Sequence, residues 1–115
     1  MDKVKLYKDI VRSVIQEIAD YEAGSQYLGD IQTQMIIDDE RGHYLPYSVG
    51  WTDRSRTYGA FIHLDVTEDG KVWLQHDGTN LVVADDLLAK GIPKEDIVLA
   101  FHSPSRRALT GFAVS

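Results

Sequence analysis

Residues 31–51 read IQTQMIIDDERGHYLPYSVGW. Two apolar runs of period two flank a polar stretch that ends in Gly, the pattern of a β-hairpin. Ile31, Thr33, Met35 and Ile37 fall on one face of the first run. Asp39-Glu40-Arg41-Gly42-His43 reads as a three-residue hairpin loop with Gly42 in the left-handed position. That loop sets Ile37 opposite Leu45, Met35 opposite Tyr47, Thr33 opposite Val49 and Ile31 opposite Trp51. The facing set is largely apolar, and a one-residue slip would turn it to solvent.

The same alternation continues outward. A second hairpin turning near Arg54-Ser55 sets Trp51 opposite Tyr58, Val49 opposite Ala60, Tyr47 opposite Ile62 and Leu45 opposite Leu64. A third turns at Glu68-Asp69-Gly70 and sets Val66 opposite Val72, Leu64 opposite Leu74 and Ile62 opposite His76. A two-residue Asp69-Gly70 loop would instead set Leu64 against Gln75 and Ile62 against Asp77, so hydrophobic matching favours the longer loop. Before the meander, residues 2–22 place Tyr7, Ile10, Val11, Val14, Ile15, Ile18 and Tyr21 or Glu22 at helical spacing, with Asp2 as N-cap and Gly24-Ser25 as exit. After it, Thr79 or Asn80 is positioned to cap a second helix whose inner stripe is Leu81, Ala84, Leu87 and Leu88, ending at Gly91. Pro93 suits the first position of a short helical turn, with Glu95 and Asp96 near its N-terminal end. Ile97–Phe101 is a continuous apolar run, expected as a fifth strand inside the sheet and covered on both faces. The expected fold is α+β: an N-terminal amphipathic helix, a four-stranded antiparallel meander, a second helix and a buried fifth strand, with the helices covering one sheet face. Residues 1–115 read as a single domain.

The 115 residues include 43% hydrophobic and 26% charged side chains, ordinary globular values, and the length suffices for a core without disulfides or metals. No signal peptide is evident, and no apolar run nears the roughly 20 residues of a membrane span. The absence of cysteine excludes disulfides, thiol catalysis and Cys-based zinc sites and fits a cytoplasmic location. A net charge of −6 counts against autonomous DNA binding and suits solubility or a basic partner.

The residues that carry chemistry do not assemble into a site on this register. His63 and Asp65 share a face with Trp73, Gln75 and Asp77, a polar cluster on the sheet. His76 points to the other face beside Ile62, so the histidines and aspartates divide, and no catalytic, cofactor or metal site is expected. His102 beside Ser103 is not a dyad, because adjacent side chains alternate across a strand. His43 sits at a turn exit with a structural role. Asp38-Asp39-Glu40 lacks the calcium-loop spacing of alternating oxygens closed by a Glu. Gly50 opposes Gly59, which reads as a bulge or bend. Arg54 and Arg56 on one hairpin tip, with Arg106 and Arg107 near the end, form a candidate basic patch. Trp51, Tyr58 and Tyr47 form an aromatic row that is core if helix-covered and a partner-binding patch if not.

These segments together resemble the XisI family of excision-controlling factors of cyanobacteria. The resemblance rests on Asp39-Glu40-Arg41, His43-Tyr44, Val49-Gly50-Trp51, Ile62-His63-Leu64-Asp65, the run Gly70 to Thr79, the run Gly91 to His102, Pro104, Arg107 and Phe112-Ala113-Val114, in the family's order and over almost the whole chain. Leu45-Pro46 and Ala60 depart from its usual residues. The resemblance implies a non-enzymatic accessory role in excision of a DNA element from a nitrogen-fixation gene during heterocyst differentiation. It also implies a XisH-like protein partner and brings no catalytic residues or cofactor. Partner binding is therefore the first expectation, with Trp51, Arg54, Arg56, Tyr58, Arg106 and Arg107 as the interaction surface. Direct nucleic-acid binding through the arginines is second, and a small metal enzyme using His63, Asp65 and Asp77 third. Self-association is a further expectation, because a meander leaves an edge that the first helix or the Phe112–Val114 tail must cover, within one chain or across a homodimer.

Overall fold

Helix α1, Lys3–Ser25, starts where its sequence says it should. The Val4 N–H donates to Asp2 Oδ1 at 3.0 Å, satisfying one of the free donors of the first turn. Tyr7, Val11, Val14, Ile15, Ile18 and Ala19 form its buried stripe, whereas Tyr21 is exposed. The computed structural model describes residues 2–25, 30–79 and 82–115. The helix lies over a mixed sheet of β1 (Gln32–Asp38), β2 (His43–Trp51), β3 (Arg56–Ala60), β4 (Ile62–Val66), β5 (Val72–Asp77) and β6 (Ile97–Leu99). The order is β1-β2-β4-β5-β6, with β3 also paired to β2. All neighbours are antiparallel except β5 and β6, which are parallel.

The α+β expectation holds in its elements, but the first register shifts by one. Asp38 pairs with His43, Ile37 with Tyr44, Met35 with Pro46 and Thr33 with Ser48. The loop has four residues rather than three. The Gly42 N–H donates to Asp38 O at 2.7 Å, and the Asp38 carboxylate takes the Arg41 N–H at 2.9 Å and its guanidinium at 3.2 Å. The bonds from Arg41, its backbone N–H foremost, hold the Asp38 carboxyl below the ordinary carboxylate range. The slip does not expose the core, because Tyr44 takes the place expected for Leu45. Its ring is 0% exposed and its hydroxyl donates to Asp39 Oδ1 at 2.7 Å, while burial pushes its pKa up. A tyrosine with its polar tip satisfied at the rim can thus anchor the core.

The second and third hairpins carry the other corrections. Trp51 pairs with Arg56, Val49 with Tyr58 and Tyr47 with Ala60, two residues from the expected pairing, so Gly50 opposes Thr57 rather than Gly59. The expected third strand is broken at Phe61. Strict alternation would place Tyr58 and Ile62 on one face, yet Tyr58 is exposed and Ile62 is core. Phe61 is the extra residue that reverses the alternation, a bulge held by its N–H on Pro46 O at 3.1 Å. Val66 meets Val72 and Leu64 meets Leu74 as expected, but a second bulge shifts His63 opposite His76 and Ile62 opposite Asp77. Beyond it the strands adopt the pairing that the shorter loop would have given.

Helix α2, Val83–Ala89, begins later than expected, with Val83, Ala84 and Leu87 buried. Asn80 and Leu81 lie outside the described residues. Asp77 Oδ2 accepts the Val83 N–H at 3.1 Å. The helix closes as expected at Gly91, whose N–H donates to Leu88 O while the Ile92 N–H reaches Leu87 O. Pro93 precedes rather than begins the 3-10 turn Lys94–Asp96. Asp96 is buried there, accepting from Tyr7 Oη and pairing with Lys3 Nζ at 3.2 Å. Burial and that carboxylate push the Tyr7 hydroxyl up to about 12. Strand β6 ends at Leu99, and Phe101 is exposed. β6 is the last strand in order, but the tail covers its outer edge: Ala113 bridges Val98, and its N–H donates to Ile97 O at 2.9 Å. The tail thus covers one sheet edge within the chain. Helix α3, Pro104–Arg107, leads into it.

Gly42 is the most constrained position of the first loop. Its φ is +78°, and a Cβ there would sit 2.2 Å from the Val66 carbonyl oxygen, which belongs to the backbone and cannot yield cheaply. The Gly42 carbonyl also accepts the Val66 N–H at 2.8 Å. Gly42→Ala is expected to lower stability by about 2 kcal/mol or more, measured by urea unfolding, whereas Glu40→Ala beside it changes stability by less than about 0.5 kcal/mol.

Candidate functional site

The core lies between the helices and the face bearing Tyr44, Ile62, Leu64, Val66, Val72 and Leu74. The other face is turned away from α1 and α2, and Arg107 of α3 covers it only at Trp73. β2 contributes His43, Leu45, Tyr47, Val49 and Trp51 to it, and directly opposed residues share that face. Two groupings stand at its two ends.

At the loop end, His43 lies opposite Asp65. His43 Nδ1 is 2.7 Å and His63 Nε2 is 2.8 Å from the same oxygen, Asp65 Oδ1. The rings stand edge to face with centroids 6.5 Å apart. Gln75 is the extra residue of the β5 bulge, and its Nε2 donates to Asp65 Oδ2 at 3.2 Å. His63, Asp65 and Gln75 therefore gather as the alternation of the strands implies. Asp77 leaves the group to accept from the Thr79 N–H at 3.0 Å and the α2 N-terminus. Two expectations are corrected here: His76, expected on the other face, stands opposite His63, and His43, expected to be structural at a turn exit, joins Asp65 as the third member. Sequence reasoning missed it because a shift of one residue in β2 turns His43 to the opposite face. The signal that finds it is Tyr44 rather than Leu45 opposite Leu64.

At the far end, Trp51 and Tyr58 are 55% and 69% exposed. The Arg56 guanidinium stands 5.8 Å from the centroids of both rings, and Tyr47 meets Tyr58 edge to face at 5.8 Å. The aromatic row is thus a surface patch at Trp51 and Tyr58, with no helix over it among the described residues. The four arginines do not form one basic patch. Arg54 and Arg56 belong to the β2–β3 hairpin, while Arg106 and Arg107 follow β6 at the other side of the sheet. Arg107 is structural. It donates to His102 O at 3.0 Å, Ala100 O at 3.1 Å and Val114 O at 3.5 Å, and its guanidinium lies 5.4 Å from the Trp73 ring centroid. His102 bonds at the strand end, its N–H on Leu99 O. Asp38 and Asp39 are likewise engaged locally, Asp39 with Arg12 and Tyr44.

A helix laid over a mixed, bulged sheet whose far face exposes His43, Trp51 and Tyr58 defines an α+β fold with a partly presented sheet surface. The family model described as XisI protein matches residues 1–114, and the chain belongs to the XisI family. A XisI-like protein from Anabaena variabilis superposes with a TM-score of 0.87 at 36% identity, covering 97% of this chain and 99% of that one. The fdxN element excision controlling factor XisI of the same organism gives 0.81 at 34% identity, covering 99% and 100%. Comparison with curated proteins finds no match. No helix among the described residues is long and apolar enough to cross a membrane.

The contrast between the paired arginines is directly measurable. Arg107→Ala removes charged donors from three carbonyls and is expected to cost about 2 kcal/mol with faster exchange of the Ala113 amide. Arg106→Ala, at an exposed position, is expected to stay within about 0.5 kcal/mol on the same unfolding curve.

Proposed function

We propose that this chain is a cytoplasmic, non-enzymatic accessory factor of site-specific DNA excision that acts by docking a protein partner, a XisH-like one, on the uncovered sheet face. The observation that carries this reading is the Trp51–Arg56–Tyr58 cluster. Trp, Tyr and Arg are the residue types that dominate binding energy at protein interfaces, and here all three are clustered and presented to solvent. Membership of a family that includes an excision controlling factor supports the cellular setting. A net charge of −6 and the separation of the two arginine pairs favour a protein partner over direct contact with DNA. A homodimer is the alternative occupant of the same face.

Co-expression with a XisH-like protein is expected to yield a complex that survives purification at micromolar concentration. Trp51→Ala and Tyr58→Ala should each weaken it by about 2 kcal/mol, roughly 30-fold, without lowering the melting temperature of the free chain. No complex, or a complex indifferent to both substitutions, contradicts the reading. A salt-dependent shift of DNA by the chain alone would favour the nucleic-acid alternative.

A further inference from the structure

We propose that His43, His63 and Asp65 form a binding site for one divalent transition-metal ion of the zinc type, at the opposite end of the same sheet face from Trp51. Two imidazoles and a carboxylate are the donor set that zinc and its first-row neighbours prefer, and three protein ligands leave a coordination position open. The donor atoms already converge, since one ring nitrogen each of His43 and His63 and a carboxylate oxygen of Asp65 lie within 4.8 Å of one another. In a tetrahedral zinc site, bonds of about 2.0–2.1 Å place donors roughly 3.3 Å apart. The present His–Asp contacts of 2.7 and 2.8 Å therefore need to open by only about half an ångström each. Each neutral imidazole presents its bare nitrogen to the ion and carries its single proton on the other ring nitrogen.

Three features make this more than a chance meeting of polar side chains. All three ligands stand on paired strands rather than on a loop, so the backbone ladder fixes their spacing. Gln75 holds Asp65 Oδ2, which leaves Oδ1 aimed at the two rings, the orienting contact that metal-bound carboxylates use. The site is also open on one side. A groove of about 930 Å³ runs past His43 and Asp65, lined further by Glu40, Glu68 and Asp69 and by the cations Lys8 and Arg41. The groove beside His43 and Asp65 is large enough for water or a small ligand, with carboxylates at its margin to favour a cation.

The test is calorimetric titration of the full chain, freed of metal by chelator, with zinc chloride. Cobalt(II) absorption serves as an independent measure of tetrahedral nitrogen and oxygen ligation. One zinc per chain is expected, with a dissociation constant of about 10 μM or tighter and a rise in melting temperature. Gln75→Leu should weaken binding about tenfold, while His43→Ala, His63→Ala and Asp65→Asn weaken it further. His76→Ala and His102→Ala should leave it unchanged. The melting temperatures of the metal-free variants show whether each is folded, and the half-exposed His43→Ala variant decides the question if the other ligand variants are not. Zinc that binds only above about 100 μM, or that binds folded His43→Ala as tightly as the parent chain, overturns the proposal. So does binding lost in His76→Ala or His102→Ala.

Discussion

Everything on the presented face depends on how β2 is gripped at its start. Asp38 organises a four-residue loop through backbone and side-chain bonds, Gly42 lets the chain pass against Val66, and Tyr44 drops into the core opposite Leu64. A strand has two faces and a period of two, so fixing one residue fixes all nine of β2. Once Tyr44 is inside opposite Leu64, His43 stands on the other face beside Asp65, and Trp51 falls on that same face. The loop, not the length of the apolar run, decides which chemistry reaches solvent.

The bulges act in the same manner. Phe61 allows one edge of the sheet to present Tyr58 while the strand that follows buries Ile62, Leu64 and Val66. Gln75 shifts the β4–β5 register and in doing so turns its amide onto Asp65. The sheet is thus irregular where its outer face carries polar or aromatic groups, and regular where Val66 and Leu64 pair with Val72 and Leu74 in the core. The C-terminal tail completes the other side. Arg107 ties three carbonyls together and Ala113 covers β6, which leaves a three-residue parallel strand buried despite its place at the end of the sheet order.

Much of this architecture is legible in the residues. The stripe from Tyr7 to Ile18 gives α1 and its buried face, Glu68-Asp69-Gly70 gives the third hairpin, and Gly91 marks the end of α2. Local rules suffice where a single element meets the core. They fail at register, because both candidate alignments of β2 bury an apolar set. Leu45, Tyr47 and Val49 look as suitable as Tyr44 and Pro46 until the hydroxyl of Tyr44 and the bonding capacity of Asp38 are weighed. Neither bulge has a glycine or other local signature, so alternation carried past Phe61 and Gln75 gives the wrong partners. The polar trio of His63, Asp65 and Gln75 could be read from one hairpin. His43 could not, since its position depends on the long-range β2–β4 pairing.

The register of β2 against β4 is the centre of the account, and cross-strand nuclear Overhauser contacts on the labelled protein measure it most directly. Contacts linking His43 with Asp65 and Tyr44 with Leu64 are expected, together with ring-to-ring contacts between His43 and His63. Contacts linking Leu45 with Leu64 and His43 with Val66 would contradict it, for they would turn Tyr44 outward and take His43 away from Asp65.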